Sequence, residues 1–415
     1  MNRHSLAFKV TAIFLFLSLF SVAALNVLAY LSSRSVLQEQ ASANMRQVLI
    51  FRGDMLKEQM ALMAQQAGSI ARMETLQSAA TGLRSGWNTL QKSSGDARAE
   101  LRQVFVTGNP MKDREKLLKP EGPSGFYYST HETVQADVAR YLQETPFDDL
   151  LIAAPDGTVF YSYRKDQAFA ENLTASPWAS GSLAAAFERA RTSAATLTED
   201  SEAAASFSGL MTEAGNPEAA LTFAVPVVRL GALKAIMLFH VRNSAVLSIL
   251  EKGHASGSSL ESTLINGAGQ IFGRDGTGRF AMLGTSEPQM LTRVPDASGL
   301  DIADVDSARG TEMQRSYLRT VAFEGQRATI SESLLLSEIE AGTRQIATVL
   351  LIAGLAVLAA SAIATLVSMN RMLSPLARLA NATGEVAKGN LDRDISDQNR
   401  KDETGVMARA LESFR

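Results

Sequence analysis

Eight side chains between residues 128 and 178 are candidates for binding a small molecule. They are Tyr128, His131, Tyr161, Tyr163, Lys165, Asp166, Asn172 and Trp178. Aromatic rings offer apolar surface, and amide, imidazole and charged groups fix the orientation of a ligand; ligand pockets combine the two. The sequence therefore predicts a small, aromatic-lined site with polar anchors.

A structural explanation stays open for most of these residues. Tyrosine is common on strand surfaces, and charged side chains are common in turns. The alternatives are a strand surface for Tyr161 and Tyr163, a solvated turn for Lys165 and Asp166, a locally hydrogen-bonded helix face for His131, and a packing anchor for Trp178.

No set of residues indicates catalysis or a bound metal. The chain has no cysteine, which excludes thiolate nucleophiles, disulfides and cysteine zinc sites. Its four histidines lack metal-ligand spacing, and no nucleophile, base and orienting group occur together. The spacing fits neither a dinucleotide-binding fingerprint at Gly267, Gly269 and Gly273 nor a calcium loop at Asp296, Asp301, Asp304 and Asp306. We expect no catalytic residue, metal or cofactor, and a net charge of -3 argues against a nucleic-acid partner.

Two long apolar runs frame the chain. They are Val10–Leu31, preceded by Arg3 and Lys9, and Ile346–Met369, followed by Arg371 and Arg378. Neither run contains Asp, Glu, Lys or Arg, and each reaches the ~20 residues that a helix needs to cross a bilayer. Basic residues at both outer ends predict cytoplasmic termini, with the intervening residues on the other side of the membrane. The alternatives are a cleaved signal peptide for the first run and a buried core helix for the second.

A long helix is predicted after the first run. Between residues 45 and 73, apolar side chains recur mostly at steps of three and four, as on the buried face of a helix. The heptad-spaced Val48, Met55 and Leu62 also suit a parallel helix pair between two subunits. We expect the helix to end or to be interrupted near Gly82, Gly86 and Ser93–Gly95.

Short strands follow from about residue 125 and recur in two sets, each with two hairpins. The first set comprises 150–154 and 158–161 around Pro155-Asp156-Gly157, then 221–228 and 233–241. The second comprises 262–265 and 270–272 around a Gly-rich turn, then 319–323 and 327–331. Asp-Gly between apolar runs is a strong hairpin signal because glycine accepts positive φ. The repeat favours two tandem α/β modules over one mixed domain.

A helix, a connector and a second helix follow the second apolar run. Pro375 suits the first turn of a new helix, Gly389 should end it, and Asp402-Glu403 should begin the next one. Pro375, the Gly389-Asn390-Leu391 step and the Asp402-Glu403-x-Gly405 signature resemble a HAMP domain. The resemblance implies a parallel four-helix bundle from two subunits, hence a homodimer, in which a signal is relayed through Pro375, Gly389, Glu403 and Gly405.

The segment with the candidate ligand residues resembles bacterial chemoreceptor ectodomains. The similar stretches lie within residues 104–118, 128–131, 148–173 and 178–183, and residues 405–415 are similar to the HAMP end of methyl-accepting chemotaxis proteins. The resemblance implies a double-Cache sensor: a long helix, then a distal and a proximal PAS-like module. Such modules bind small molecules between sheet and covering helix, usually in the distal module. The chain lacks the Arg-x-Trp-Tyr stretch of the amino-acid-binding kind.

We therefore predict an α+β membrane receptor. Its parts are a cytoplasmic N-terminus (1–9), a transmembrane helix (10–31), a periplasmic double-Cache sensor (32–345; long helix 32–100, distal module 125–245, proximal module 260–340), a second transmembrane helix (346–369) and a HAMP domain (370–415) that is cut short. The expected function is that of a homodimeric inner-membrane chemotaxis transducer, which binds a small periplasmic ligand and acts on a cytoplasmic output module or a kinase–adaptor complex. The alternatives are the sensory half of a histidine kinase or nucleotide cyclase receptor, and a membrane-anchored periplasmic enzyme or adaptor.

Overall fold

The computed structural model describes residues 6–197, 203–213, 216–254, 258–286, 302–390, 392 and 394–414. The chain divides into two compact units: Ser42–Glu338 forms one, and Met1–Ala41 with Ile339–Arg415 forms the other. Of the residues discussed above, Arg3, Asp296, Asp301 and Leu391 lie outside the described part, as do residues 1–5 of the predicted N-terminus.

The secondary structure is mixed. The α-helices of the described residues are α1 (Leu6–Ala71), α2 (Glu74–Ser94), α3 (Ala97–Arg102), α4 (Phe126–Gln143), α5 (Ser182–Ala194), α6 (Asn243–Leu250), α7 (Leu336–Ala387) and α8 (Glu403–Phe414). The strands are β1 (Phe147–Ala153), β2 (Val159–Ser162), β3 (Ser206–Phe207), β4 (Met211–Thr212), β5 (Ala219–Ala220), β6 (Thr222–Arg229), β7 (Ala232–Val241), β8 (Glu261–Asn266), β9 (Gln270–Arg274), β10 (Phe280–Thr285), β11 (Ala303–Arg309), β12 (Glu312–Phe323) and β13 (Gln326–Leu335).

The two apolar runs lie within α1 and α7, and both helices are long and apolar enough to cross a membrane. Their large apolar side chains point outward: Phe16 is 69% exposed and Leu351 is 64% exposed. A soluble helix would bury such a surface against its own domain, so these segments have the character of membrane spans.

Residues 42–71 of α1 carry two apolar faces in different environments. One face is buried in the Ser42–Glu338 unit and contains Leu49, Leu56, Met60, Met63, Ala67 and Ile70. The other lies about 100° around the helix and leaves Val48 (37%), Phe51 (63%) and Leu62 (44%) exposed. Packing against its own unit therefore leaves Val48 and Leu62 of the heptad trio exposed, whereas the third member, Met55, is half-buried against the core.

The first sheet is antiparallel, with strand order β2-β1-β7-β6-β3. The hairpin predicted at Asp156-Gly157 is confirmed: β1 pairs with β2, and Gly157 has a φ of +92°. The β6–β7 hairpin is confirmed as well. Because side chains alternate along a strand, Ile152 of β1 packs in the core that includes α4, and Leu151 packs in the core that includes α5.

The second sheet has the order β10-β9-β8-β13-β12-β11. Its two predicted hairpins are present, and the later one is longer than expected because β12 and β13 pair from Phe323–Gln326 back to Gln314–Leu335. In both sheets the first strand of the first hairpin pairs with the last strand of the second, β1 with β7 and β8 with β13. The sequence repeat thus corresponds to a repeated strand topology.

The expected helix interruptions at Gly82 and Gly86 are wrong. Both residues lie inside α2, and the break comes earlier, between Ala71 and Glu74. Gly86 lets two helices approach closely, since a Cβ there would lie 2.7 Å from the Cα of Tyr127 in α4. The predicted end at Gly95 is confirmed, with a φ of +81°.

The prediction that Pro375 begins a new helix is also wrong. α7 runs without interruption from Leu336 to Ala387, and Pro375 lies inside it. A proline removes one backbone donor from a helix, and here strong helix formers such as Met372, Leu373 and Ala377 surround it. The expected end is confirmed, because Gly389 follows the helix with a φ of +89°.

Candidate ligand-binding site

A polar cavity of about 580 Å³ opens on the face of the first sheet that α5 covers. Strand alternation places Asp149 and Leu151 of β1 and His240 of β7 on this face. Trp178 and Leu183 close the side next to α5. A cavity of this size accommodates a small metabolite.

A charged group forms the floor of the cavity. Asp148 Oδ1 lies 2.7 Å from His240 Nδ1, and Asp148 Oδ2 accepts a hydrogen bond from Arg164 Nη1 at 2.9 Å. Burial opposes the charged form of His240, but the hydrogen bond and charge of Asp148 outweigh it and raise the pKa of His240. Burial raises the pKa of the neighbouring Asp149 to about 6, although the backbone N–H of Arg164 and the hydroxyl of Ser162 donate to it.

Two acceptor atoms at the cavity have no donor among the described residues. They are Glu213 Oε2 and Asn243 Oδ1, both buried. The other carboxylate oxygen of Glu213 accepts the backbone N–H of Leu183 at 2.7 Å and so caps the start of α5. Burial raises the pKa of Glu213 to about 7. Buried acceptors are normally hydrogen-bonded, so the wall of the cavity holds two unpaired acceptors that solvent does not reach in this structure.

The cavity also touches the second sheet. Arg279, next to β10, lines it and pairs with Glu218 at 2.6 Å. The backbone N–H of Met282 donates to the carbonyl of Pro217 at 2.9 Å, and Glu218 forms a β-bridge with Ala281. The cavity wall and the second sheet are therefore physically joined within the Ser42–Glu338 unit.

The opposite face of the first sheet holds a buried cluster around Lys165, here called the Lys165 cluster. Besides Lys165, it contains Phe105, Tyr127, Tyr128, His131, Gln135, Tyr161 and Phe169. Lys165 and Tyr161 are both 0% exposed. The two alternatives, a solvated turn for Lys165 and a strand surface for Tyr161, are therefore wrong.

His131 belongs to the same cluster, is fully buried, and hydrogen-bonds a carbonyl 13 positions earlier in the chain instead of a neighbour on its own helix. Its Nδ1 lies 3.1 Å from the carbonyl of Leu118, which can only accept, so Nδ1 carries the proton. Its Nε2 has no partner among the described residues. Burial, with the nearby charge of Lys165, lowers the pKa of His131 well below its ordinary value.

The structure does not gather the eight candidate residues at one site. Asp166 and Trp178 line the polar cavity, whereas Tyr128, His131, Tyr161 and Lys165 lie in the Lys165 cluster. Tyr163 is half-buried at the edge of the sheet, next to a shallower cleft. Asn172 holds a turn together: its amide donates to Asp156 O at 3.1 Å, and its oxygen accepts the N–H of Thr174 at 2.8 Å.

Several cavity residues were missed from the sequence: Asp148, Asp149, Arg164, Glu213, His240 and Asn243. One signal was available, because His240 falls in a predicted strand two positions after Leu238 and so shares its face. No sequence signal links Glu213 with Leu183, since their contact joins residues 30 positions apart.

The C-terminal part packs a small core of its own. Leu379 of α7, Ile395 of the connector and Ala408 of α8 are buried together. Arg378 donates twice to Asp397, at 3.0 Å each, and Asp402 Oδ1 accepts the N–H of Gly405 at 3.2 Å. Glu403 is the first residue of α8, as predicted, and is exposed.

Residues 367–415 match the HAMP domain family, which confirms the HAMP prediction. Solved structures similar to the chain include the ligand-binding domain of the amino-acid chemoreceptor PctB from Pseudomonas aeruginosa PAO1 in complex with L-Arg (18% identity, 49% of this chain and 80% of that one, TM-score 0.33). The ligand-binding domain of the Pseudomonas fluorescens chemoreceptor CtaA in complex with L-serine (10%, 68% and 99%, 0.31) and a methyl-accepting chemotaxis protein X (11%, 71% and 99%, 0.37) are also similar. No curated protein matches the chain.

Proposed function

We propose that this chain is the sensory part of a homodimeric transmembrane chemoreceptor, a methyl-accepting chemotaxis transducer of the bacterial inner membrane. Its two apolar helices would span the membrane, with the Ser42–Glu338 unit in the periplasm as a double-Cache sensor. The HAMP domain would lie in the cytoplasm and act on an output module or a kinase–adaptor complex. The observation that carries the proposal is a cavity with unpaired acceptors in a unit whose last strand continues directly into the helix that leads to HAMP.

The ligand would bind in the polar cavity next to α5. A donor-bearing ligand, such as a protonated amine, would satisfy the unpaired acceptors Glu213 Oε2 and Asn243 Oδ1 after a local movement of the wall that uncovers them, and Trp178 offers an apolar wall. The pKa of Glu213 is about 7, so the fraction of carboxylate rises with pH through that value. Binding of an amine should therefore strengthen between about pH 6 and pH 8.

The signal would pass along α7. β13 ends at Leu335 and α7 begins at Leu336, so no flexible loop separates the second sheet from the helix. Glu338 in the first turn of α7 accepts hydrogen bonds from the N–H of Ser259 at 2.8 Å and the hydroxyl of Ser258 at 2.9 Å. A ligand that prefers one arrangement of the sensor would shift the population of the connected helix states by its differential affinity.

The proposal is tested by thermal unfolding of the full chain in detergent micelles, with a panel of small amines and other metabolites. A ligand that binds the folded state raises Tm. We expect one or more donor-bearing compounds to raise Tm in the wild type and in the control Glu188→Gln, whose side chain is 42% exposed, but not in Glu213→Gln. A shift that persists in Glu213→Gln, or a panel without any shift, would contradict the cavity assignment. Chemical turnover of a compound would favour an enzyme instead.

A further inference from the structure

Lys165 has a buried side-chain amine without a carboxylate partner among the described residues. It follows β2, is 0% exposed, and occurs in none of the ion pairs of the described residues. Its Nζ donates to Gln135 Oε1 at 2.5 Å and to the carbonyl of Tyr163 at 3.2 Å. Lysine is almost never fully buried unless it is paired, so this position is unusual.

Aromatic rings form the rest of the surroundings of the amine. Lys165 Nζ lies 4.9 Å from the centroid of the Tyr161 ring, 5.7 Å from that of Phe105 and 6.0 Å from that of Phe169. Such ring faces attract a cation, but they replace only part of the hydration that the charge loses. Burial therefore dominates, and it lowers the pKa of Lys165 to about 7.

Gln135 connects this amine to the packing of α4. Its oxygen accepts hydrogen bonds from both Lys165 and the hydroxyl of Tyr161, the latter at 2.9 Å. Its Nε2 donates to the carbonyls of Glu115 and Tyr163, at 2.8 and 3.0 Å. A change in the charge of Lys165 thus acts on a residue that ties α4 to β2 and to the 114–116 turn.

The titratable groups around Lys165 come from every element packed against it. They are Asp149 of β1, Tyr161 of β2, Tyr163 after β2, Tyr127, Tyr128 and His131 of α4, and Arg114 and Glu115 of the 114–116 turn, with Glu100 of α3 behind Tyr128. The guanidinium of Arg114 donates to the backbone carbonyl of Lys165 at 3.2 Å, and Glu100 accepts a hydrogen bond from the hydroxyl of Tyr128 at 2.7 Å. Asp149 and Glu115 favour the charged amine from a distance, but Asp149 is already engaged by Ser162 and by the backbone of Arg164. His131 stays neutral beside the amine because burial lowers its pKa.

We propose that the unit built on the first sheet also senses protons, and that the charge of Lys165 decides how tightly α4 packs on the sheet. The neutral amine fits the closed arrangement of the Lys165 cluster. The protonated amine favours an arrangement in which the 163–166 turn, where Lys165 has a φ of +57°, lets it reach water. External pH would thus bias the same unit that holds the polar cavity, with no ligand required.

The direction of the effect distinguishes Lys165 from its neighbours. A base whose pKa is lowered by folding makes the folded state more stable as pH rises from the folded to the unfolded pKa, here from about 7 to 10.5. Asp149 and Glu213 have raised pKa values of about 6 and 7, so the stability that they contribute to the folded state falls as pH rises to those values. The contribution of His240, whose pKa is also raised, falls with rising pH as well. The lowered pKa of His131 makes the folded state more stable with rising pH only up to about pH 6.5. The raised pKa values of Tyr127, Tyr128 and Tyr161 lower stability as pH rises, but only near and above pH 10. A rise in stability above pH 7.5 therefore reports Lys165.

The experiment uses the intrinsic fluorescence of the full chain in detergent micelles. Its two tryptophans, Trp87 and Trp178, both lie in or next to the elements that cover the first sheet. We expect Tm to rise by about 5 °C or more between pH 7.5 and pH 9.5 in the wild type, and to stay level in Lys165→Met. The matched control is Lys119→Met, whose side chain is 72% exposed and which should keep the rise.

Two further results decide the proposal. If Lys165→Met does not fold, Gln135→Glu replaces it: a carboxylate beside the amine should raise the pKa of Lys165 and remove the rise. At 25 °C the emission of the wild type and of Lys119→Met should shift reversibly as pH passes through about 7, and that of Lys165→Met or Gln135→Glu should not. The proposal is overturned if Tm of the Lys165→Met or Gln135→Glu variant rises with pH as much as that of the wild type. It is also overturned if the emission of the wild type does not shift with pH.

Discussion

Arg52 of α1 and Glu332 of β13 form an ion pair that is buried on both sides. The side chain of Arg52 is 3% exposed and that of Glu332 is 0% exposed. Ser262 and His254 complete the group. The Ser262 hydroxyl lies 2.5 Å from Arg52 Nη1 and donates to Glu332 Oε2 at 2.7 Å, and His254 Nε2 lies 3.2 Å from Arg52 Nη1 and 2.8 Å from Ser262 Oγ. Burial raises the pKa of Glu332, although the charge of Arg52 opposes the shift. The pair fixes α1 to the second sheet by charges that solvent screens little.

Removing one partner of this pair should destabilise the Ser42–Glu338 unit strongly. Arg52→Met leaves Glu332 buried without its counter-charge, so we expect the free energy of unfolding to fall by about 3–5 kcal/mol. The double variant Arg52→Met/Glu332→Met should lose less, because no charge stays unpaired. Denaturant unfolding of the full chain in micelles, followed by circular dichroism, measures both.

The same helix supplies the control for this prediction. Arg46 pairs with Asp304 at 3.3 Å, but both side chains are 47% exposed. Exposed pairs contribute about 0–1 kcal/mol, so Arg46→Met should have little effect. Equal losses for Arg46→Met and Arg52→Met would show that burial does not set the strength of the contact.

Local patterns predicted much of the fold. Asp156-Gly157 between two apolar runs specified a hairpin because the turn needs positive φ, and Gly389 and Gly95 ended helices for the same reason. Gly86 was misread because its role depends on Tyr127 of another helix, which the sequence does not reveal. Pro375 was misread because its neighbours sustain the helix in spite of the lost donor.

The candidate site was less predictable, since it depends on contacts between distant segments. The sequence shows Lys165 and Asp166 as adjacent polar residues, yet one is buried among rings and the other lines the cavity. Burial of Lys165 requires Phe105, which lies 60 positions earlier. Glu213 gains its role by capping a helix that begins at Ser182. Composition and periodicity carry no information about such pairings.

The exposed heptad face of α1 should form a contact between two copies of the chain. In a parallel helix pair, equal residues at the seam face each other. The chain has no cysteine, so a single introduced one reports its own position. Under mild oxidation in micelles, Leu62→Cys should form disulfide-linked dimers efficiently. Ala61→Cys, also exposed but about 100° away around the helix, should not. Equal cross-linking of the two variants would contradict a parallel pair at this face.

The HAMP domain makes a prediction about a single glycine. A Cβ on Gly405 would lie 2.0 Å from the carbonyl oxygen of Arg400, so Gly405→Ala must displace the connector from the start of α8. We expect trypsin to cleave after Arg400 and Lys401 several times faster in this variant, because local opening exposes the backbone. Gly384→Ala, in α7 of the same domain, is the control: nothing lies within 4 Å of its Cβ, and an alanine inside a helix stabilises it by roughly 0.5–1 kcal/mol. Trypsin should therefore cleave Gly384→Ala at the wild-type rate or more slowly. If Gly405→Ala is cleaved no faster than the wild type, the close approach of Gly405 to Arg400 is not needed for the packing of α8.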